Sequence, residues 1–205
     1  MAKDLVFYTN PNSRGRIVRW MLEEVGASYR TELLEMDTTM KAPDYLAINP
    51  MGKVPSIVHG DTVVTEAAAI CAYLADAFPD AGLAPALDER GDYYRWLFFT
   101  AGCFEAAITN RMLGFEIPDE RRGSVGYGNF DMVMDTLEGV VSRGSYLAGS
   151  RFSAADVYVG AQIGFGLQFD MIDKRPAFED YWGRVGDRPA HVRAVEIDEA
   201  AAGNT

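Results

Sequence analysis

The sequence predicts an α/β domain followed by an all-helical one, and three observations carry that expectation. Over roughly the first eighty residues, short β-rich runs alternate with stretches whose apolar residues recur every three to four positions. The segment Pro79-Asp80-Ala81-Gly82-Leu83-Ala84-Pro85 then changes the character of the chain, being dense in residues that punctuate structure. Beyond it the β signal vanishes. The expected division is a first domain over 1–79, a linker over 80–87 and a helical domain over 88–205.

Leu5 to Thr9 is a short apolar run and reads as a buried strand. From Arg14 to Val25 the residues Ile17, Val18, Met21, Leu22 and Val25 fall on one stripe, the pattern of a helix that Gly26 ends. Trp20 sits beside that stripe and is expected to pack on the second domain. Tyr29 to Met36 alternates as a second strand, and Pro43 to Ile48 supports one helical turn. Ser56 to Val58 and Thr62 to Val64 flank Gly60-Asp61 as a hairpin, after which Thr65-Glu66 opens a helix carrying Ile70, Tyr73, Leu74 and Ala77. The resulting order β-α-β-α-β-β-α resembles a thioredoxin-like domain. Right-handed crossover makes its first two strands parallel neighbours. Past the linker, helical patterns run from about Asp88 to Leu113, Gly123 to Ser142, Ser153 to Phe165, Ala177 to Val185 and His191 to Ala200. Ser153 with Asp156 three residues on is a capping-box start, and its role is structural.

Composition removes several function classes. A formal net charge of −11 opposes non-specific nucleic-acid binding, which rests on neutralising phosphates with Lys and Arg. Arg14, Arg16 and Arg19 cluster around one short helix and read as its solvated rim. The two cysteines, Cys71 and Cys103, are far apart and sit in helical patterns, which leaves no C-x-x-C or zinc motif. His59 and His191 lack spaced acid or Cys partners, so no metal site and no Ser-His-Asp triad is expected. No apolar run approaches the roughly 20 residues that span a bilayer. The expectation is a cytoplasmic protein without membrane or nucleic-acid partners.

The chemistry concentrates between Ile48 and Leu74. Pro55 has no N–H to give a sheet, so Val54-Pro55 belongs at an edge or a turn, and its peptide bond is a candidate for the cis form. The backbone of Val54 is then free to pair with an extended ligand, while Glu66 stands at a helix start nearby. This arrangement resembles the glutathione-binding half of the cytosolic glutathione S-transferases, including bacterial members that use a serine. It is carried by Asn49-Pro50-Met51-Gly52-Lys53-Val54-Pro55, the hairpin, and Glu66-Ala67 at matching spacing. Family members commonly have Ser or Thr where this chain has Ala67, which removes one hydrogen bond to the γ-glutamyl carboxylate. The backbone N–H of Ala67 remains available at a helix N-terminus.

What the resemblance implies is a glutathione transferase acting as a homodimer, with glutathione as co-substrate, no metal, and a small hydrophobic electrophile as second substrate. Val54 pairs with the cysteinyl backbone beside Pro55, Glu66 meets the γ-glutamyl ammonium, and Lys53 meets the glycyl carboxylate. Each charge also has an ordinary explanation, Glu66 as a helix-start acid and Lys53 as a solvated lysine. Thiol activation falls to the loop before the first helix. Ser13 is the first candidate, placed at the mouth of the helix, although serine there is also an ordinary cap. Tyr8 is the rival, since Tyr-type members carry a tyrosine at the end of the first strand before a similar R-G-R; its ordinary explanation is an aromatic strand residue packed against the second domain. Asn10 is a third donor. The aromatic-rich stretch with Tyr93, Tyr94, Trp96, Phe98, Phe99, Phe104, Met112 and Phe115 is expected to line the second substrate or to form core or dimer contacts. The same site also suits glutathione-dependent peroxide or disulfide reduction or isomerisation, and the fold also occurs in non-catalytic binding proteins.

Overall fold

In the computed structural model, which describes residues 3–203, a four-stranded mixed sheet organises the first unit. Its strands are β1 (Leu5–Thr9), β2 (Arg30–Leu33), β3 (Ser56–His59) and β4 (Thr62–Thr65), in the spatial order β2-β1-β3-β4. β1 runs parallel to β2 and antiparallel to β3, and β3 pairs antiparallel with β4. The expected parallel first pair is therefore present. β2 is shorter than its alternation suggests, because the chain past it closes on itself through Glu35 N–H to Thr39 Oγ1 and Met40 N–H to the Glu35 carbonyl.

Strand alternation sorts β1 onto two faces. Phe7 lies 5.0 Å under the Arg19 guanidinium of α1 (Gly15–Val25), and Thr9 lies against Gly15, so these side chains face that helix. Tyr8 faces the opposite side, where its ring centroid is 5.6 Å from that of Tyr45 in α2 (Pro43–Leu46). A third helix, α3 (Ala67–Ala77), packs on α1 and buries Ile70, Cys71, Leu74 and Ala75. Gly26 ends α1 in the left-handed region, as its position predicts.

The chain divides into two compact units, Met1–Leu83 with Asp187–Thr205, and Ala84–Gly186. The boundary falls inside the 80–87 stretch. The last helix, α9 (Pro189–Ala202), belongs to the first unit, whereas the sequence reading runs the helical domain through 205. The reason is long-range. Arg19 of α1 is buried against Asp198 of α9 at 3.0 Å, Arg188 grips both carboxylate oxygens of Glu24, and Trp20 packs its ring 4.5 Å from His191. Arg19 is thus an interior residue, not part of a solvated rim.

The second unit contains α4 (Gly91–Phe99), α5 (Glu105–Met112), α6 (Phe130–Val141), α7 (Ala154–Gln168) and α8 (Pro176–Gly186). The expected single helix from Asp88 to Leu113 is interrupted by a π turn at Thr100–Phe104. Asn129 caps α6 through its side chain, moving that start several residues past Gly123. Helix α7 is buried along nearly its whole length, and Asp156 anchors it: its carboxylate accepts from Ser153 N–H and Oγ, Leu147 N–H and Tyr181 Oη. Among the described residues no helix is long and apolar enough to cross a membrane.

Candidate functional site

The register of the sheet assembles the site. Tyr8 of β1, Ser56 of β3 and Thr65 of β4 stand in one row. Because β3 runs opposite to both neighbours, the exits of β1 and β4 and the entry of β3 share one end of the sheet. The loop carrying Asn10 and Ser13, the Val54-Pro55 dipeptide, and Glu66 with Ala67 therefore converge there. With strands about 4.8 Å apart, the row spans about 10 Å, the length of three extended residues.

Val54-Pro55 is a cis peptide bond. Neither the N–H nor the C=O of Val54 finds a partner among the described residues, so both backbone groups are open to an extended ligand. The approach to Val54 is held firmly from behind. Asn49 Nδ2 and Tyr45 Oη both donate to the Lys53 carbonyl, at 2.7 and 2.6 Å, and Ser56 Oγ donates to Tyr45 Oη at 3.0 Å. Gly52 closes the turn from the Asn49 carbonyl at φ +58°, where a Cβ would stand 2.8 Å from the Met40 carbonyl oxygen. The Asn-Pro-x-Gly stretch is therefore a brace that presents Val54 edge-on.

Charge of each sign flanks this edge. The Lys53 ammonium is exposed and makes no ion pair among the described residues. Glu66 is exposed too, and its carboxylate has no partner among them. Its backbone stands at φ 67°, ψ 117°, a conformation that non-glycine residues avoid. Among the described residues no side chain caps α3, so the N–H groups of its first turn, beginning with Ala67, are open to an anion.

Ser13 lies one residue before the position where α1 is capped. Its Oγ accepts the Gly15 N–H at 3.0 Å and donates its single proton to the Asn10 carbonyl at 2.6 Å. The Asn10 amide is committed elsewhere, donating to the Leu34 carbonyl at 2.8 Å and accepting from Asn12 N–H, which leaves it structural. Tyr8 is half-buried on the α2 face and its hydroxyl has no hydrogen-bond partner among the described residues. Its ring supports Tyr45, the residue that holds the Lys53 carbonyl.

A family model described as glutathione S-transferase, N-terminal domain, covers residues 13–77. Glutathione S-transferase F10 of Arabidopsis thaliana is 30% identical over 188 residues, covering 82% of this chain and 86% of the plant protein. The chain belongs to the glutathione S-transferase family. Among solved structures, a glutathione transferase from Methylococcus capsulatus superposes with a TM-score of 0.79 at 28% identity, covering 96% of this chain and 99% of that one. A sphingomonad glutathione S-transferase complexed with glutathione gives 0.76 at 27%, covering 95% and 98%.

Within this transferase fold, one residue near the site escaped sequence reading. Lys41 donates to the Gly52 carbonyl at 2.7 Å and to that of Met51 at 3.3 Å, which sets its ammonium on the backbone of the two residues before Lys53. No local pattern marks it, because the contact depends on how the 39–52 segment folds back. Of the aromatic set in the helical unit, Tyr93, Trp96 and Phe104 are buried, whereas Tyr94, Phe98, Met112 and Phe115 are exposed. Burial pushes the Cys71 thiol far above its ordinary range, so it is inert as a nucleophile. Among the described residues no cluster of His, Cys, Asp or Glu is placed to hold a metal ion.

Proposed function

We propose that this transferase-family chain binds glutathione along the Val54-Pro55 edge and directs its thiolate against a small apolar electrophile. The observation that carries the reading is a Val54 backbone without partners among the described residues, flanked by a cation at Lys53 and an anion at Glu66 that are likewise unpaired among them. Val54 N–H and C=O pair with the cysteinyl residue. Glu66 meets the γ-glutamyl ammonium, the first-turn amides of α3 from Ala67 meet the adjacent carboxylate, and Lys53 meets the glycyl carboxylate. A glutathione-bound sphingomonad relative at 27% identity supports the same ligand here.

A free thiol ionises near pH 8.5, about 1.5 units above neutrality. A hydrogen bond to a charged group contributes about 1.5–3 kcal/mol, which covers one to two such units at 1.36 kcal/mol each. Ser13 supplies that bond by turning its proton from the Asn10 carbonyl to the sulfur, while its oxygen keeps the Gly15 N–H. The start of α1 adds its dipole. The thiol proton leaves to solvent, the sulfur lone pair forms the bond to carbon, and the leaving group departs with its electron pair. Tyr8, aimed at α2 on the other face of the sheet, serves packing in this reading.

Steady-state conjugation of a chlorinated aromatic electrophile tests it, run beside peroxide and disulfide substrates. Ser13→Ala is expected to lower kcat/KM at least about tenfold, the equivalent of one unit of thiol pKa, with Tyr8→Phe within about threefold of wild type. Faster turnover of the peroxide or disulfide moves the reaction class to reduction. A Tyr8→Phe variant that loses activity while Ser13→Ala keeps it overturns the donor assignment.

A further inference from the structure

Thr9 is fully buried at the end of β1, and its hydroxyl oxygen has no hydrogen-bond partner among the described residues. A valine there would avoid the cost of an unsatisfied buried hydroxyl. The oxygen points at Gly15. A Cβ on residue 15 would fall far closer to Thr9 Oγ1 than two non-bonded atoms can approach, and would also stand 3.1 Å from Thr9 Cβ and 3.0 Å from Ser13 Oγ.

We propose that Thr9 and Gly15 are positioning residues for Ser13: the bare backbone at 15 lets the first turn of α1 close on the Thr9 hydroxyl, and that contact aims the Gly15 N–H at the Ser13 oxygen. The inference rests on the reading of Ser13 as the thiolate donor. Thr9 is the fixed partner of the two. It stands opposite Leu33 in the parallel β1–β2 ladder, and its carbonyl accepts the Leu34 N–H at 2.8 Å. A side chain at 15 therefore displaces the turn and not the strand. The turn carries with it the N–H that lies 3.0 Å from Ser13 Oγ. An oxygen that accepts this N–H is a better donor through its own proton, because linked hydrogen bonds polarise one another. The same N–H holds the oxygen in place while the proton turns from the Asn10 carbonyl to sulfur. Oxygen is also smaller than a methyl group. A valine at 9 relieves the unpartnered hydroxyl yet pushes a larger atom against Gly15, so stability and positioning respond in opposite directions.

The full chain carrying Gly15→Ala, Thr9→Val, or Thr9→Ala with Gly15→Ala tests this, with Gly139→Ala as the control because a Cβ there meets nothing within 4 Å. Three readouts apply to each: the pH profile of kcat/KM, the glutathione Kd and the thermal midpoint. Gly15→Ala is expected to move the acid limb of the profile up by about one unit and lower kcat/KM about tenfold at neutral pH, with Kd within about threefold. The double variant recovers most of this, since the clash with the Thr9 hydroxyl is gone and only the 3.1 Å contact to the residue 9 Cβ and the 3.0 Å contact to Ser13 Oγ remain for a small shift to relieve. Thr9→Val moves the profile the same way while its thermal midpoint holds or rises. A wild-type profile in Gly15→Ala or in Thr9→Val, or a double variant as impaired as Gly15→Ala, overturns the proposal. Should Gly15→Ala fail to fold, the Thr9→Val profile decides alone. Ser13→Ala separates the two readings: an unshifted profile there removes the donor itself, whereas a shifted one with Gly15→Ala and Thr9→Val unshifted removes only the positioning pair.

Discussion

Glu66 concentrates the tension between stability and binding in one residue. Its φ of 67° with ψ of 117° costs a non-glycine residue about 1–3 kcal/mol, and its carboxylate receives no compensating contact among the described residues. Glu66→Gly is expected to raise stability by about 1 kcal/mol in urea titrations while weakening glutathione binding at least about tenfold. Unchanged binding in that variant would separate the strain from any role in holding the ligand. Tyr29 gives a prediction of the opposite kind, about stability alone. Burial, helped by its bond to Glu23 and opposed by Arg19, pushes its hydroxyl from 10.0 up to about 12. The folded chain therefore keeps this proton where the unfolded chain releases it, so stability contributed by Tyr29 is intact below pH 10 and drains away as pH rises toward about 12. Tyr29→Phe should show a shallower alkaline loss over that window. An identical slope would mean that other groups govern it.

At the scale of elements, the tie between α1 and α9 decides how the first unit holds together. Arg19 donates to Asp198, to Tyr29 and to Thr31, which links α1, α9 and β2 through one buried guanidinium. Burial holds the Asp198 carboxyl above its ordinary value in spite of Arg19, a sign that the pair pays heavily in lost hydration. Asp198→Ala should cost about 3–5 kcal/mol, because it strands a buried cation, whereas Arg19→Leu with Asp198→Leu should cost much less. Chemical denaturation of both variants checks this, and a double variant as damaged as the single would assign the pair a net stabilising role. None of this was legible locally. The Arg14, Arg16, Arg19 cluster looks like a solvated rim until the last helix, some 180 residues away, supplies Asp198. By contrast β1, α1 with its Gly26 stop, the β3–β4 hairpin and the Ser153–Asp156 start were all readable, since each depends on neighbours within a few positions. The break at Thr100–Phe104 was not, because a π turn leaves apolar periodicity nearly intact.

For the whole molecule, the candidate site is a product of sheet register more than of any single motif. The sequence named Val54, Pro55, Glu66, Ala67, Lys53, Ser13 and Tyr8, and sheet pairing explains why segments ten to fifty residues apart meet at one end. It left open which hydroxyl serves the sulfur, because Tyr8 and Ser13 are near in sequence and only strand alternation puts Tyr8 on the α2 face. Lys41 was invisible for the same reason as Asp198: its contact exists only once the chain has turned back. Ligand linkage gives a global check, since glutathione at ten to a hundred times its Kd should add roughly 1.4–2.7 kcal/mol to unfolding stability. Lack of protection at millimolar glutathione would favour a binding protein for something else. The most direct measurement is the ultraviolet difference spectrum of the thiolate as glutathione is titrated onto wild type and Ser13→Ala at neutral pH. Wild type is expected to show a saturating thiolate band, and Ser13→Ala comparable binding with the band appearing only about one unit higher in pH. A wild-type protein that binds glutathione without ionising it, or a Ser13→Ala band equal to that of wild type, would contradict that expectation.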